Sequence, residues 1–403
     1  MPLPTVCFAI PAMDELDYLP QTLDCIARQD YKGRIETFVC VNQPRSDYST
    51  SPLPPRVGNN QKLWQLLEQN RWRLRLHPID RFSPDKAWER KEGGVGPARQ
   101  CCIGAFLPEA DGSDLIVSMD ADTLFDEDYV SKMVGYMESH RDADAVIPQY
   151  YHRLSGNEAQ DRAMLRYELY MRCYLFNLQR IGSPYAFTAL GSAICCRVDA
   201  YRKSGGFDGR QAGEDFYLLQ RIAKSGGIVQ HPTCTVFPSP RLSDRVPFGT
   251  GPAIRMLQSG GGNYPIFAPE AFDLIAESYR RIPLFQKREC GTPLTDFIDA
   301  ASGSPAIWEK LRKNYPSLPA FTRAFHQKAD GLRIFQFLRN YAECHPATDE
   351  ENLRKTFARL PHPEELPPLP GDFSLATAPI PLIDRLRNCL QKAGGGIHQL
   401  QRR

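Results

Sequence analysis

The chain alternates short apolar runs with stretches whose apolar residues recur at helical spacing. Thr5-Val6-Cys7-Phe8-Ala9-Ile10 is a compact apolar run closed by Pro11, the pattern of a strand buried on both faces. Leu16, Leu19, Leu23 and Ile26 then recur as on an amphipathic helix, with Pro20 placed for the first turn, where a missing N–H costs least. Phe38-Val39-Cys40-Val41 predicts a second strand. A polar, proline-rich loop is expected over 46–60, then a helix through Leu63, Leu66 and Leu67, and a short strand at Leu74-Arg75-Leu76. Leu115-Ile116-Val117-Ser118-Met119 is the clearest strand and runs straight into Asp120-Ala121-Asp122. Such alternation predicts βαβ units and a mostly parallel sheet with helices on both faces. Ligands in such folds sit at the carboxyl ends of the strands, so Asp14 and Glu15, Asn42 and Gln43, and Asp120 and Asp122 should gather along one edge.

Further on, the spacing predicts a long helix over 157–180, a break at Gly182-Ser183-Pro184 and a helix over 215–224. Tyr167, Tyr170 and Tyr174 share a face of the long helix; such a stripe can stack on a sugar but is more often core. After Ser259-Gly260-Gly261-Gly262-Asn263 the texture changes to helical patterns over 272–281, 306–315 and 332–342, with a proline-rich extended stretch at 361–370. A last amphipathic helix over 381–393 precedes a Gly394-Gly395-Gly396 linker and a basic end. The organisation predicted is an α/β domain at 1–255 and a mainly helical region at 256–403.

Composition narrows the function classes. With 403 residues, 49 Lys plus Arg against 47 Asp plus Glu and a net charge of +2, the chain has no field that would mark a nucleic-acid binder. No run approaches the roughly 20 apolar residues of a membrane span, and the start lacks a leader's basic region and cleavage site. The 12 cysteines include adjacent pairs (Cys101-Cys102, Cys195-Cys196) but no Cys-x-x-Cys, which points to reduced thiols and a cytoplasmic location. The eight histidines show no ligand spacing, and His152 and His231 read as structural.

Four elements carry candidate chemistry. Asp120 and Asp122, leaving a buried strand, can share a hard cation such as Mg²⁺ or Mn²⁺, or simply cap the next turn. The EF-hand alternative fails because Phe125 stands where glycine is required. Glu214 and Asp215 open a helix after a glycine turn, where one carboxylate can cap and one can take a proton from a hydroxyl. Lys91-Glu92-Gly93-Gly94-Val95-Gly96-Pro97-Ala98-Arg99 is a glycine-rich bend with flanking positive charge, suited to phosphate or to nothing more than a turn. Arg241 and Arg245, followed by Gly249-Thr250-Gly251, suit either a loop closing over a diphosphate or a solvated surface loop.

The order of these elements resembles a GT-A-fold glycosyltransferase of the large family-two type. The resemblance is carried by Phe8-Ala9-Ile10-Pro11-Ala12-Met13-Asp14-Glu15, the Leu19–Leu23 helix ending in Gln29, Asp120-Ala121-Asp122, Gly191-Ser192-Ala193, Gly205-Gly206-Phe207-Asp208 and Gly213-Glu214-Asp215, over about residues 5–245. It implies transfer of a sugar from a nucleotide-diphosphate donor to a hydroxyl of a carbohydrate, lipid-linked or small-molecule acceptor, usually with inversion and with Mg²⁺ or Mn²⁺. By resemblance, Pro11, Ala12 and Glu15 line the nucleotide pocket, Asp120 meets the base and ribose side, and Asp122 meets the metal and diphosphate. Asp215 is then the general base with Glu214 beside it, and Gly191 and Ser192 form the acceptor floor.

The chain departs from the family at three places. Asn42-Gln43 stands where paired aspartates contact the base, Pro238 where a histidine contacts the metal, and no Gln-x-x-Arg-Trp signature follows. Arg241 and Arg245 are expected to take the diphosphate-side role of that signature. The reading is a hexosyltransferase using a UDP- or GDP-sugar, with self-association open for the helical region. A sugar nucleotidyltransferase is the first rival, though residues 11–15 lack its glycine-rich basic signature; a catalytically silent carbohydrate-binding scaffold is the second.

Overall fold

The computed structural model describes residues 2–89, 92–209, 213–241, 255–257, 264–303, 307–365 and 367–400. The described chain forms two compact units: residues 1–156 with 187–255, and residues 157–186 with 256–403. Residues 157–186, which the sequence pattern places in the α/β region, thus cluster with the second unit.

The first unit is built on an eight-stranded sheet. Its strands are β1 (Val6–Ala12), β2 (Ile35–Asn42), β3 (Leu76–Arg81), β4 (Leu115–Ser118), β5 (Thr123–Phe125), β6 (Ala143–Tyr150), β7 (Ile194–Arg197) and β8 (Gly227–Pro238). They are ordered β3-β2-β1-β4-β7-β6-β8-β5. Strands β3, β2, β1 and β4 run parallel, β7 is antiparallel to both β4 and β6, β8 is parallel to β6, and β5 is antiparallel to β8. This mixed, mostly parallel α/β sheet with its helices is the arrangement that the alternation of apolar runs and helical patterns predicts.

Helices α1 (Leu19–Ala27), α2 (Pro55–Gln69), α3 (Val95–Phe106), α4 (Tyr129–Ser139), α6 (Val198–Lys203) and α7 (Glu214–Ser225) also belong to this unit. One core packs Cys7 and Ala9 of β1, Phe38 and Cys40 of β2, Ile103 and Phe106 of α3, Ile116 of β4, and Leu218 and Ile222 of α7. Each large apolar side chain sealed there contributes about 1.5–3 kcal/mol. Seven strand residues of β1 are buried or nearly so, as a continuous apolar run requires.

Several local expectations are corrected. Pro11 lies inside β1 rather than closing it, and the strand expected at 74–76 begins only at Leu76. The expected loop over 46–60 is cut short, because Pro55 opens α2 at a first-turn position where proline needs no N–H partner. Strands β5 to β8 are not among the elements that the sequence pattern predicts.

In the second unit, α5 (Glu158–Arg180) is capped by Asn157, whose side chain accepts from Gln160 N–H. It packs through Leu165, Leu169, Cys173 and Phe176 against Leu353, Phe357, Ile383, Leu386 and Leu390 of the C-terminal helices. The last helix runs Ile380–Leu400, so Gly394-Gly395-Gly396 is helical and not a linker. The tyrosine face is aromatic core: Tyr167 and Tyr170 meet Tyr264 at 5.2 and 5.5 Å, and Tyr174 meets Phe267 at 6.3 Å. All 12 cysteines are free thiols. Among the described residues, no helix is long and apolar enough to cross a membrane.

Candidate active site

Strand direction explains why distant residues meet. The carboxyl ends of parallel β1, β2 and β4 share one edge, which brings Glu15, Asn42, Asp120 and Asp122 there. Strand β7 is antiparallel to β4, so the residues entering it, Gly191 and Ser192, arrive at the same edge. Strand β8 runs in the direction of β4, so its exit leads Arg241 to that edge, and α7, which precedes β8, presents Glu214 and Asp215 there.

The Asp120-Ala121-Asp122 loop is fixed from below. Met119 N–H continues the ladder to Ala9 O at 3.2 Å, and Thr123 N–H donates to Asp120 O at 3.3 Å. The buried Thr22 hydroxyl of α1 lies 2.9 Å from Ala121 O and 3.1 Å from Thr123 O. The two aspartates then engage different arginines.

Arg99 is the centre of the first cluster. It lies one turn into α3, behind the glycine bend in which Gly94 adopts φ 134°, and only 2% of its side chain is exposed. Its Nη1 donates to Glu214 Oε1 and its Nη2 to Asp120 Oδ1. The guanidinium also sits 5.7 Å from the Phe207 ring centroid. Gly205 and Gly206, at φ 77° and 68°, form the turn that places Phe207, and Tyr201 OH accepts from Phe207 N–H at 3.1 Å. A Cβ at Gly191 would stand 2.0 Å from Arg99 Nη2, so the glycine leaves room for the cation. Ser118 Oγ donates to Gly191 O at 2.7 Å, and Ser192 is buried.

Asp215 follows Glu214 in the first turn of α7, and its Oδ1 accepts from Phe216 N–H at 2.7 Å. Burial pushes its carboxyl up to about 7, the Glu214 carboxylate adds to this, and Arg99 opposes it. The residue is therefore poised to exchange a proton near neutral pH.

Arg241 is the centre of the second cluster. Its Nη2 donates to Glu15 Oε1 at 2.6 Å and Oε2 at 2.8 Å. Its Nε lies 2.8 Å from Asp122 Oδ2, an ion-pair contact without hydrogen-bond alignment. Its guanidinium carbon stands 4.0 Å above the Tyr18 ring, and burial, which opposes its charge, is outweighed by Asp122 and Glu15. Tyr18, Thr22 and Phe207 hold these groups in place; the sequence reading gave Tyr18 and Thr22 no part and quoted Phe207 only within the Gly205-Gly206-Phe207-Asp208 motif.

The remaining expected residues are placed as follows. Asn42 is buried and its side-chain NH₂ donates to Ala12 O at 3.1 Å and Cys40 O at 3.2 Å, which ties β2 to β1. Asn60 bridges nearby, donating to Gln43 Oε1 at 2.8 Å and accepting from Asp14 N–H at 3.0 Å. Pro11 and Ala12 end β1, and Gly96 is buried in α3. Pro238 ends β8 and pairs with Thr123. Lys91 and Arg245 lie outside the described residues. His231 is structural: its Nδ1 accepts from Thr233 and Cys234 N–H at 3.2 and 2.9 Å, and burial lowers it to about 4.

The donor set fits a hard divalent cation. Two carboxylates, Glu15 and Asp122, already converge on one positive charge, that of Arg241. Among the described residues, no group of three or more His, Cys, Asp or Glu side chains forms a protein-only metal centre. Mg²⁺ and ions like it need no such cage, since they take one or two carboxylates and complete their shell with substrate phosphates and water.

Residues 115–255 match the family described as "Glycosyl transferase family group 2". That segment holds Asp120, Asp122, Gly191, Ser192, Glu214, Asp215 and Arg241, so the likeness to this family covers the second half of the sheet and the site residues it carries. No curated protein matches the sequence. Among solved structures, the chain is similar to residues 1–349 of S. aureus TarS in complex with UDP-GlcNAc, at 15% identity over 85% of this chain and 92% of that one, with a TM-score of 0.43. It is similar also to mannosyltransferase PcManGT from Pyrobaculum calidifontis in complex with GDP-Man and Mn²⁺, at 15% identity over 98% and 86%, with a TM-score of 0.40. At this level of similarity neither assigns a ligand to this chain.

Proposed function

We propose that this chain is a glycosyltransferase of the family-two type, to which residues 115–255 are similar, and that it moves a hexosyl unit from a UDP- or GDP-sugar to a hydroxyl acceptor with inversion. The observation that carries the reading is Asp215, held up to about 7 beside Glu214 at the strand edge where Asp120 and Asp122 also emerge. A base with that affinity takes a proton from an attacking hydroxyl efficiently at neutral pH. The hydroxyl oxygen then bonds to the anomeric carbon as the bond to the diphosphate oxygen breaks, and in-line attack inverts that carbon.

The other residues orient and balance charge. Arg99 joins Asp120 to Glu214, so the donor side and the base side share one rigid cation. Arg241, with its planar fork, pairs with the diphosphate oxygens. Mg²⁺ or Mn²⁺ at Asp122, with Asp120 adjoining, neutralises charge on the leaving diphosphate when bound. Pro11, Ala12, Asn42 and Glu15 flank the nucleotide, and Gly191 and Ser192 floor the acceptor side. All of these residues lie in the first compact unit. Residues 256–403 form a helical region whose role in acceptor binding or self-association a truncation series can address.

Calorimetric binding of UDP, GDP and their common sugar conjugates, with and without Mn²⁺, tests the reading. The expected result is metal-dependent binding of one nucleotide, abolished in Asp122→Ala. Absence of binding by every nucleotide in the presence of metal would overturn it.

A further inference from the structure

We infer that Arg241 is a tethered counter-cation, which occupies the carboxylates of the donor site before the donor arrives and yields Asp122 to the divalent cation when the diphosphate enters. The inference rests on the nucleotide-sugar reading and adds to it an order of events.

The geometry supplies the argument. Glu15 and Asp122, more than 100 residues apart in sequence, converge on a single guanidinium at 2.6 and 2.8 Å. Arg241 is 16% exposed and Glu15 6%, so this pairing is largely shielded from water and stronger than a surface pair. A ring stands under the guanidinium, with Tyr18 at 4.0 Å. This is a built seat for a cation.

A divalent ion and this guanidinium compete for the Asp122 carboxylate, since both at bonding distance would place like charges close together. The two halves of the seat are unequal. Glu15 receives two hydrogen bonds from Nη2, whereas Asp122 faces Nε without alignment. Asp122 is therefore the partner Arg241 gives up more readily. Its backbone lies three residues past β8, which anchors it at the strand edge while the long side chain re-aims. A diphosphate offers the guanidinium a matching partner once Asp122 is taken.

Metal and nucleotide should consequently assist each other's binding, because each removes what holds Arg241 in the other's way. Linkage makes the effect reciprocal: the factor by which nucleotide tightens Mn²⁺ equals the factor by which Mn²⁺ tightens nucleotide.

The test uses the full chain and the electron-spin-resonance signal of free Mn²⁺, measured without nucleotide and with saturating UDP or GDP. Wild-type protein is expected to bind Mn²⁺ alone weakly, with nucleotide tightening it by about tenfold or more. Arg241→Gln should bind Mn²⁺ alone about tenfold more tightly than wild type, and the assistance from nucleotide should shrink correspondingly. Tyr18→Leu, which removes the ring but leaves every carboxylate, should tighten Mn²⁺ by about fivefold. Unchanged or weaker Mn²⁺ binding in Arg241→Gln overturns the inference; if that variant does not fold, unchanged binding in Tyr18→Leu does so. Tighter Mn²⁺ in the variants, with no nucleotide bound by wild type, keeps the counter-cation and removes the donor reading instead.

Discussion

Replacing Asp215 with asparagine separates its chemistry from its cost to the fold. The carboxyl titrates at about 7 in the folded chain against an ordinary 3.8, with burial the first cause and Glu214 the second. The fold thus prefers the protonated form. Its contribution to stability is fully present below 3.8 and is lost as pH rises through 7. At 1.36 kcal/mol per pH unit the interval corresponds to at most about 4 kcal/mol. Partial exposure and the shared charge of Glu214 and Arg99 reduce this to about 2 kcal/mol. Asparagine keeps the shape and removes the ionisation. For a unit of this size, about 2–4 °C of Tm accompanies each kcal/mol, so Asp215→Asn should melt about 4–8 °C above wild type at pH 8. Scanning calorimetry from pH 4 to pH 9 should show the difference opening between pH 4 and 7 and level beyond 8. The same substitution should lower kcat by about 10²–10⁴-fold, while wild-type turnover climbs with pH through 7. A Tm difference that stays constant with pH, or narrows as pH rises, would refute the account of Asp215.

Further outcomes follow from the ion pairs and thiols. Arg99→Met leaves Asp120 and Glu214 without their buried cation, which should cost about 3–5 kcal/mol by calorimetry. Because Arg99 holds the Asp215 carboxyl down, the rising limb of the pH–rate profile should also move to higher pH in that variant. Gly191→Ala, whose Cβ would meet Arg99 Nη2 at 2.0 Å, should cost about 1–3 kcal/mol and shift the profile the same way. Cys101 is lowered to about 6 by its hydrogen bond from Cys40 and by Arg81, whereas burial pushes Cys102 and Cys195 up to about 12. Iodoacetamide at pH 7 should therefore alkylate Cys101 well ahead of those two, by peptide mass mapping, and Arg81→Ala should slow it. In the second unit Arg387, fully buried, joins Glu168 at 3.1 Å to Asp384. Arg172 still pairs with Glu168 at 2.8 Å, so Arg387→Ala should lower stability by about 1–3 kcal/mol, read as a Tm loss, through the hydrogen bonds and buried volume removed.

The two halves of the sheet were not equally legible. Strands β1, β2 and β4 are buried on both faces and read as continuous apolar runs, so Phe8-Ala9-Ile10 and Leu115-Ile116-Val117 stand out without any partner being known. Strand β8 is half exposed and carries Gln230, His231, Pro232 and Thr233 within it. Its register against β6 shifts at an irregularity between Ile147 and Gln149, which breaks any simple alternation. Strand β7 has only four residues, too few for a period to register. The last helix misled for the opposite reason. Three consecutive glycines carry a helix penalty of about 1 kcal/mol each, yet they continue a helix whose apolar face is already seated through Ile383, Leu386 and Leu390.

The chemical residues were legible as types, but their wiring was not, and the wiring decides what they do. Arg99 sits in a glycine-rich bend and reads as a phosphate contact by charge and context. In the fold its α3 position carries it inward, where both Nη atoms meet carboxylates, so its charge is consumed in joining Asp120 to Glu214. Arg241 reads as a loop cation and instead closes Glu15 and Asp122 around itself. Both outcomes follow from one constraint. The parallel strands deliver Glu15, Asp120, Asp122, Glu214 and Asp215 to one edge, and five carboxylates cannot all remain ionised there without cations among them. Two arginines take four of the five, and the fifth, Asp215, forms no ion pair with a guanidinium among the described residues and rises to about 7. On the proposed reading the base is the carboxylate left out of the ion pairs, which requires the fold to bring together residues up to 226 positions apart. Glu214→Gln removes the neighbouring charge that raises the Asp215 carboxyl and leaves Arg99 one carboxylate partner fewer. It should drive the Asp215 carboxyl down and shift the rising limb of the pH–rate profile to lower pH with reduced maximal turnover, since a weaker base accepts the proton less well. An unchanged limb in a folded Glu214→Gln protein would show that the ion pairs do not set the base.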